Sequence, residues 1–540
     1  CMCWRNIKTG ETGDAIGHKE IKEFFERTKG AIYVGHNILK FDAPHLVRLL
    51  GVKLSVRNCI DTLVLSTLYS PSISGGHSLG AWGDRLEEDK GDFKDFSKFS
   101  DEMLKYCRQD VRLTSMLFVR LTKTLNNIGF SEQSIAIQHE FTVIIERQSR
   151  TGFYFDGKRA NELYAELRGI EAQLEQEITN AFPPKLERLG TYKRPFRKDG
   201  SRSKQYLDHC EMYERVVLHP TGESYDVYGR TPFNLGSPKQ RVEKLTSLGW
   251  IPQEFTPKTD KGGGGTPKPF DKGKLSPSLE AFLEENDVPE VKLIATWMSI
   301  NGRANMIKTW LDNYNEEDSC IHGRLFVADT LRLRHQAPNT ANIPAVRVSK
   351  SGEVLRALDG FYTYETRDLW VSRKGRLLVG TDAAGLELRM LAHFLNDPAF
   401  TDVVINGDPH QYNADLVGIT RPQAKTLIYA IMYGAAAAKI ANTLGVSVKE
   451  GGNIRTMFLE RLGIGDLIKQ CQGEQKIGRV SLCDGSMVIC PSPHSALNYK
   501  LQGSGARVMA KGAIILDTYI RRNRLDSLKV GDIHDEWQFD

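Results

Sequence analysis

The sequence predicts an α/β protein built of several domains. Three observations carry that expectation: a length too great for one core, an alternation of short apolar runs with helical patterns near the start, and the return of that alternation after a polar middle section. A chain of 540 residues, 40% of them apolar, buries substantial cores and divides into domains of ordinary size. From residue 12 to about 130, apolar runs such as Ala31 to Val34 and Ile60 to Leu65 alternate with helical patterns such as Lys19 to Arg27 and Ala43 to Leu50. From about 135 to 182 the spacing predicts long helices, with a turn at Gly152 and a second run from Lys158 to Ala181. From Pro183 to Gly273 the composition shifts to Pro, Gly, Lys and Tyr. That stretch holds the basic run Lys193 to Lys204 and a linker at Gly262 to Gly265, and it predicts loops. From Val291 onward strand and helix patterns return and continue to the end, without an internal repeat.

Composition excludes some classes and leaves others open. No stretch approaches the roughly 18 uninterrupted apolar residues of a membrane helix, and no basic region followed by a short apolar run marks the N-terminus. Secretion and membrane insertion are not expected. Nine cysteines scattered from Cys1 to Cys490 form no metal spacing beyond Cys1-x-Cys3, and they read as reduced intracellular thiols. A net charge of +5 is too small to identify a polyanionic partner, although uneven charge still permits a basic groove. The chain opens at Cys1 without an initiator Met and closes at Asp540, so both ends look cut.

Three segments carry the chemistry. In Arg376 to Phe394 the sequence predicts a buried apolar strand, then Asp382, then a helix whose Leu386, Met390, Leu391 and Phe394 share a face. Asp382 at a strand end suits a metal ligand, and it equally suits a cap for the following helix. In Val530 to Phe539 two apolar runs flank His534, Asp535 and Glu536, which predicts a hairpin with acids at its tip. Adjacent carboxylates repel, and a nearby cation or an ordinary solvated turn relieves that repulsion. Two-metal phosphoryl transfer needs carboxylates from separate segments that bridge ions about 3.5–4 Å apart, a role Asp382 and Asp535 fit together.

The third segment, Gly418 to Gly445, predicts a capped helix. Thr420 with Gln423 makes a capping-box pattern, Pro422 suits the first turn, and the helix is expected to run on through Ala-rich sequence. Arg421, Lys425 and Tyr429 fall at i, i+4 and i+8, so two cations and a ring share one face over about 12 Å, the length of a nucleotide.

In order and content these segments resemble the polymerase motifs of family A, the DNA polymerase I superfamily, in the form found in bacteriophage replicases. The motifs match as Asp382/Glu387/Arg389, Arg421/Lys425/Tyr429/Tyr433/Gly434 and His534/Asp535/Glu536. The resemblance implies a DNA-dependent DNA polymerase of viral replication, acting in the cytoplasm of a host bacterial cell on primer-template DNA and deoxynucleoside triphosphates. Asp382 and Asp535 would bind two Mg²⁺ ions, with Glu536 and Lys425 also in the catalytic set. Arg421, Lys425 and His410 would hold the triphosphate. Glu387 would lie beneath the sugar and exclude a ribose 2′-hydroxyl, and Tyr429 would stack near the incoming base and sugar. Arg332, Asn498, Gln502, His534 and Tyr433 would contact DNA. At Leu331 the family usually has Gly, which makes the path into Arg332 an open question.

Upstream, VGHNILKFDAPHL (34–46) and YCRQDVRLT (106–114) resemble the second and third motifs of a 3′→5′ exonuclease. Asp42 and Asp110 would bind further divalent ions, and Tyr106 would orient the attacking water. The family's first motif, Asp-x-Glu, is absent and is expected to have lain before Cys1. The implied fold is a ribonuclease-H-like exonuclease domain over 1–134, followed by a right hand. Its thumb covers 135–330, with a basic, loop-rich insertion at about 183–273, and its palm and fingers cover 331–540. Lys193, Arg194, Arg197, Lys198, Arg202 and Lys204 of the insertion would track duplex phosphates or, as in some phage replicases, belong to a site for a processivity factor. The alternative reading is a DNA-binding fragment made inactive by its cut ends.

Overall fold

The computed structural model describes residues 1–256, 265–271, 274–349 and 351–540. The linker placed at Gly262 to Gly265 falls, except for Gly265, outside the described residues. The α/β class holds. The chain forms two compact units, one of Cys1–Phe153 with His322–Asn339 and Ser372–Asp540, the other of Tyr154–Ile321 with Thr340–Val371.

The first unit opens with an antiparallel hairpin, Met2–Arg5 against Thr12–Ala15, and a parallel pair, Tyr33–Gly35 against Cys59–Asp61. The run Ile60 to Leu65 does not continue as a strand. The strand stops at Asp61, whose buried carboxylate accepts the Leu63 N–H at 2.9 Å and so caps the helix Thr62–Tyr69. The same carboxylate accepts the N–H groups of Asn37 (2.8 Å) and Leu39 (3.1 Å), which ties down the loop that leads into Asp42. Leu113, Leu117, Leu121 and Leu125, each about one turn from the next on the helix Asp101–Asn127, are wholly buried. They share a continuous apolar core with Leu391, Leu427, Ile431 and Phe458, so the N-terminal segment and the nucleotide-helix region pack as one body.

A three-stranded antiparallel sheet, Val379–Asp382, Glu536–Phe539 and Lys529–Ile533 in that order, carries the acidic motifs. The strand Val379–Asp382 is a sheet edge with all four residues exposed, a correction to the buried strand the apolar run suggested. It has a hydrogen-bonded partner strand on one side only, among the described residues. The helix Leu386–Leu395 buries Leu386, Leu388, Leu391 and Ala392. Across from it lies the helix Ala496–Arg522, where a Cβ at Gly512 would come within 2.7 Å of the Trp537 ring. Glycine there lets the acidic hairpin lie directly on the helix. Arg507 of that helix is fully buried, and it donates to Asp484 and Gln138, each at 2.6 Å, and to the Ser134 carbonyl at 2.7 Å. A buried guanidinium satisfied this completely locks three segments in one arrangement, and losing one partner would cost about 3–5 kcal/mol.

The second unit is framed by the helices Gly157–Ala181 and Pro289–Leu311, which follow the turn at Gly152. The stretch between them, expected to be loop-rich, holds regular elements as well as loops. Lys185–Lys193, Ser224–Thr231 and Arg215–Leu218 form an antiparallel sheet in that order, joined by the helix Lys204–Met212. Tyr206, Tyr225 and Val227 make its core, with Tyr192, Tyr213 and Val216 packed around them. Tyrosines supply the apolar surface that Leu and Ile usually supply, which is why composition reads as loop. The six cations from Lys193 to Lys204, all exposed, run from the end of the strand Lys185–Lys193 through the connecting turn to the start of the helix Lys204–Met212. Among the described residues, no helix is long and apolar enough to cross a membrane.

Candidate active site

Two acidic segments meet where the sheet edge passes the hairpin. Asp382 ends its strand opposite Glu536, and the Ala383 N–H donates to the Asp535 carbonyl at 2.9 Å. His534 and Asp535 form the hairpin turn, with His534 at φ 62°. The Asp382 carboxyl is held above its usual range, first by the protein atoms that shield it from water and then by the charge of Asp535. Two like charges in this proximity make a place for a cation. Glu536 turns toward Gln538, whose amide hydrogen-bonds it.

Beside this pair, Glu387 in the first turn of Leu386–Leu395 accepts from Arg332 at 2.7 Å and from the Tyr433 hydroxyl at 3.2 Å. Gln502 hydrogen-bonds Tyr433 in turn, and Asn498 stands one turn before it on Ala496–Arg522, half-buried. The question at Leu331 is answered by its backbone, which takes φ 60°, the left-handed conformation natural to Gly. That conformation costs a Leu roughly 1–2 kcal/mol. Burial of its side chain in the core, worth about 1.5–3 kcal/mol, offsets it, and Arg332 is delivered to Glu387. His534 is held below its usual range by burial first and the charge of Arg332 next.

The nucleotide helix begins as its sequence predicts, with the Thr420–Gln423 capping box and Pro422 in the first turn. It ends early. Arg421–Met432 stops at Tyr433, Gly434 takes φ 77°, and a second helix, Ala437–Leu444, follows. A Cβ at Gly434 would come 2.5 Å from the His494 carbonyl, so glycine allows the chain to turn against that loop. Ala424, Leu427, Ile428 and Ile431 are buried, which leaves Arg421 and Lys425 exposed and Tyr429 half-buried on the other face. Lys425 makes no ion pair among the described residues. The Tyr429 phenol is raised by burial first, then by the charges of Glu387, Tyr433 and Asp535. His410 lies 6.2 Å from that ring, centroid to centroid, and is lowered by burial and by Lys425 and Arg421. Asp408, which leads the Asp408-Pro409-His410 motif and to which the sequence assigned no role of its own, accepts from Arg421 Nε at 2.7 Å. Its signal was present as Asp before Pro, the pattern of a helix cap.

The exonuclease-type residues are arranged differently. Asp42 opens the helix Asp42–Leu50, and surrounding protein together with the charge of Asp61 pushes its carboxyl up to about 6 although it keeps contact with solvent. Asp110 and Tyr106 lie on Asp101–Asn127 beside Lys90, which hydrogen-bonds the Tyr106 hydroxyl and approaches Asp110 to 3.9 Å. Lys90 is the charge that acts on Asp110, whereas Asp61 and His45 act on Asp42. An open cleft of about 1110 Å³ lies next to Tyr106, lined also by Lys90, Arg108 and Arg112. Among the described residues, no cluster of three or more His, Cys, Asp or Glu is arranged to hold a metal ion.

Residues 210–481 match the family model described as DNA polymerase family A. The chain is 30% identical over 642 residues to the DNA-directed DNA polymerase of Enterobacteria phage T3, covering 95% of this chain and 86% of that protein. It is 30% identical over 606 residues to the DNA-directed DNA polymerase of Escherichia phage T7, covering 89% and 81%. DNA polymerase I of Pseudomonas aeruginosa is 26% identical over 357 residues, 60% of this chain and 36% of that protein. Among solved structures, the POL domain of Pol1 from M. smegmatis, in complex with DNA primer-template and dNTP, superposes with a TM-score of 0.69. The match has 18% identity and covers 98% of this chain and 84% of that one, a likeness of fold.

Proposed function

This chain belongs to DNA polymerase family A, and we propose that it adds deoxynucleotides to a primer 3′ end on a DNA template by two-metal phosphoryl transfer, as a phage replicase in its host cell. The observation that carries the reading is the meeting of two acidic segments, with the Asp382 carboxyl in the field of Asp535 and the Ala383 N–H on the Asp535 carbonyl. Their donor set fits Mg²⁺, which takes oxygen ligands and is held by one or two carboxylates plus substrate phosphates rather than a closed protein cage. The ion, when bound, supplies Lewis-acid activation of the primer hydroxyl and charge neutralisation on the phosphates.

The remaining residues orient and neutralise. Arg421, Lys425 and His410 meet the triphosphate, whose charge shifts toward the departing pyrophosphate in the transition state, and prearranged cations stabilise that shift. Glu387, held by Arg332 and Tyr433, forms the floor under the sugar and leaves no room for a 2′-hydroxyl. Tyr429 stacks on the incoming nucleotide. Arg332, Asn498, Gln502 and His534 contact the primer terminus and template, and Glu536 supports the hairpin that presents Asp535.

Residues 1–134 we read as the framework of a ribonuclease-H-like 3′→5′ proofreading domain, with Asp42, Asp110 and Tyr106 as its acidic and water-orienting groups. The parallel strand pair and the cleft beside Tyr106 support that reading. The basic turn of the inserted module, with six exposed cations, suits duplex phosphates. The module's separate tyrosine core also suits a docking platform for a processivity factor.

The test is primer extension on a primed template with deoxynucleotides and Mg²⁺. Template-matched extension that disappears in Asp382→Ala supports the reading. Binding of primed DNA without any extension would leave the chain a DNA-binding fragment.

A further inference from the structure

We infer that Asp408 is a positioning residue for nucleotide binding, its single carboxylate aiming both Arg421 and His410. The two oxygens divide the work. Oδ1 accepts the N–H groups of His410 (2.9 Å) and Gln411 (3.1 Å) and so caps the helix Pro409–Val417 that carries His410. Oδ2 accepts from Arg421 Nε at 2.7 Å, in the first turn of the next helix. One side chain thus joins the N-termini of two consecutive helices, each of which presents a cationic or hydrogen-bonding group to the same face.

The geometry of the Arg421 pair decides its purpose. Only Nε is engaged, and the two terminal nitrogens have no hydrogen bond among the described residues. A guanidinium held along its Nε edge keeps that fork of donors open, and the fork matches phosphate oxygens. His410 Nδ1 is likewise buried without a partner. Asp408 is therefore bound to the parts of its neighbours that a triphosphate does not need. As a stability device the pair is weak, because both side chains are about half exposed, 43% for Asp408 and 50% for Arg421, and pairs that wet contribute little to folding. What it does is limit the rotamers of a long side chain before the ligand arrives, so less freedom is lost on binding. The Arg421 guanidinium first, and then the Gln411 N–H, hold the carboxyl down to about 2, so it stays charged near neutral pH.

This inference rests on the assignment of Arg421 and His410 to the triphosphate, and the experiment separates the two. Nucleotide KM and kcat are measured by primer extension in wild type, Asp408→Asn, Asp408→Ser, Arg421→Ala and the double variant Asp408→Asn/Arg421→Ala. Asn and Ser both retain a helix cap. Neither retains an anionic acceptor for Arg421 Nε. Both single Asp408 variants are expected to raise the nucleotide KM about 5- to 20-fold with a smaller change in kcat, while melting temperature stays near wild type. On the Arg421→Ala background, Asp408→Asn is expected to change KM by less than about twofold, since there is no guanidinium left to aim. An unchanged KM in Asp408→Ser would reduce Asp408 to a cap, and a lower KM in Asp408→Asn would show that it restrains Arg421 rather than presenting it; either result overturns the inference. A normal KM in Arg421→Ala would instead remove the nucleotide assignment itself.

Discussion

Two pairs of aspartates in this chain sit in sequence motifs, and different neighbours act on them. Asp382 and Asp535 come from distant segments and are joined by strand pairing, so that one raises the other. Asp42 and Asp110 come from helices, and each answers to a different neighbour, Asp61 in one case and Lys90 in the other. The cations differ in parallel. Lys425 stands open on its helix face, whereas Lys90 is spent on Tyr106 and Asp110. A pair of carboxylates becomes a metal site through proximity and an uncommitted field, and residue identity alone supplies neither.

The sharpest break of that comparison is removal of the coupled pair. Asp382→Ala or Asp535→Ala is expected to lower single-nucleotide incorporation by at least about 10³-fold while duplex affinity moves only a few fold, because a lost metal carboxylate removes transition-state stabilisation rather than phosphate grip. Retained turnover in either variant, read by quenched-flow extension, would dissolve the pair. Next in size is Lys425→Ala, for which kcat/KM should fall about 10- to 100-fold through both a higher KM and a lower kcat, since its charge meets phosphate before and during reaction. A change confined to DNA affinity would move Lys425 from nucleotide to template.

A smaller effect is expected at the sugar. Glu387→Ala should weaken discrimination against ribonucleotides by about tenfold or more, as a floor held by Arg332 and Tyr433 is lost. Competition between ribo- and deoxynucleotides on one template measures it directly, and an unaltered ratio would free Glu387 from that role. The smallest effect belongs to the other pair. Asp42→Ala and Asp110→Ala should leave primer extension within about twofold and Mn²⁺ titration of this chain unchanged, while Asp382→Ala removes a Mn²⁺ site. Loss of Mn²⁺ binding in Asp110→Ala would show that Lys90 yields to the ion and that the two pairs are more alike than their geometry indicates.

Local features were legible where the signal is local. The capping box at Thr420, the helical spacing of Arg421, Lys425 and Tyr429, and the hairpin around His534 and Asp535 all stand in the structure where the sequence puts them. Features that depend on remote partners were not. The helix after Tyr433 breaks because Gly434 turns against the His494 carbonyl. The part of the inserted stretch from Lys185 to Thr231 is ordered around a core in which Tyr192, Tyr206, Tyr213 and Tyr225 come together.

By itself, then, the sequence determined the class of fold, the family, and which residues form each motif, since periodicity, caps and turns are set by neighbours within about four positions. Only the tertiary structure decided that Asp382 lies within the field of Asp535 while Asp42 and Asp110 answer to other charges, that Leu331 takes a glycine's conformation under cover of the core, and that Asp408 holds Arg421. Those outcomes depend on strand register and on packing between segments far apart along the chain, where burial and pairing outweigh local preference.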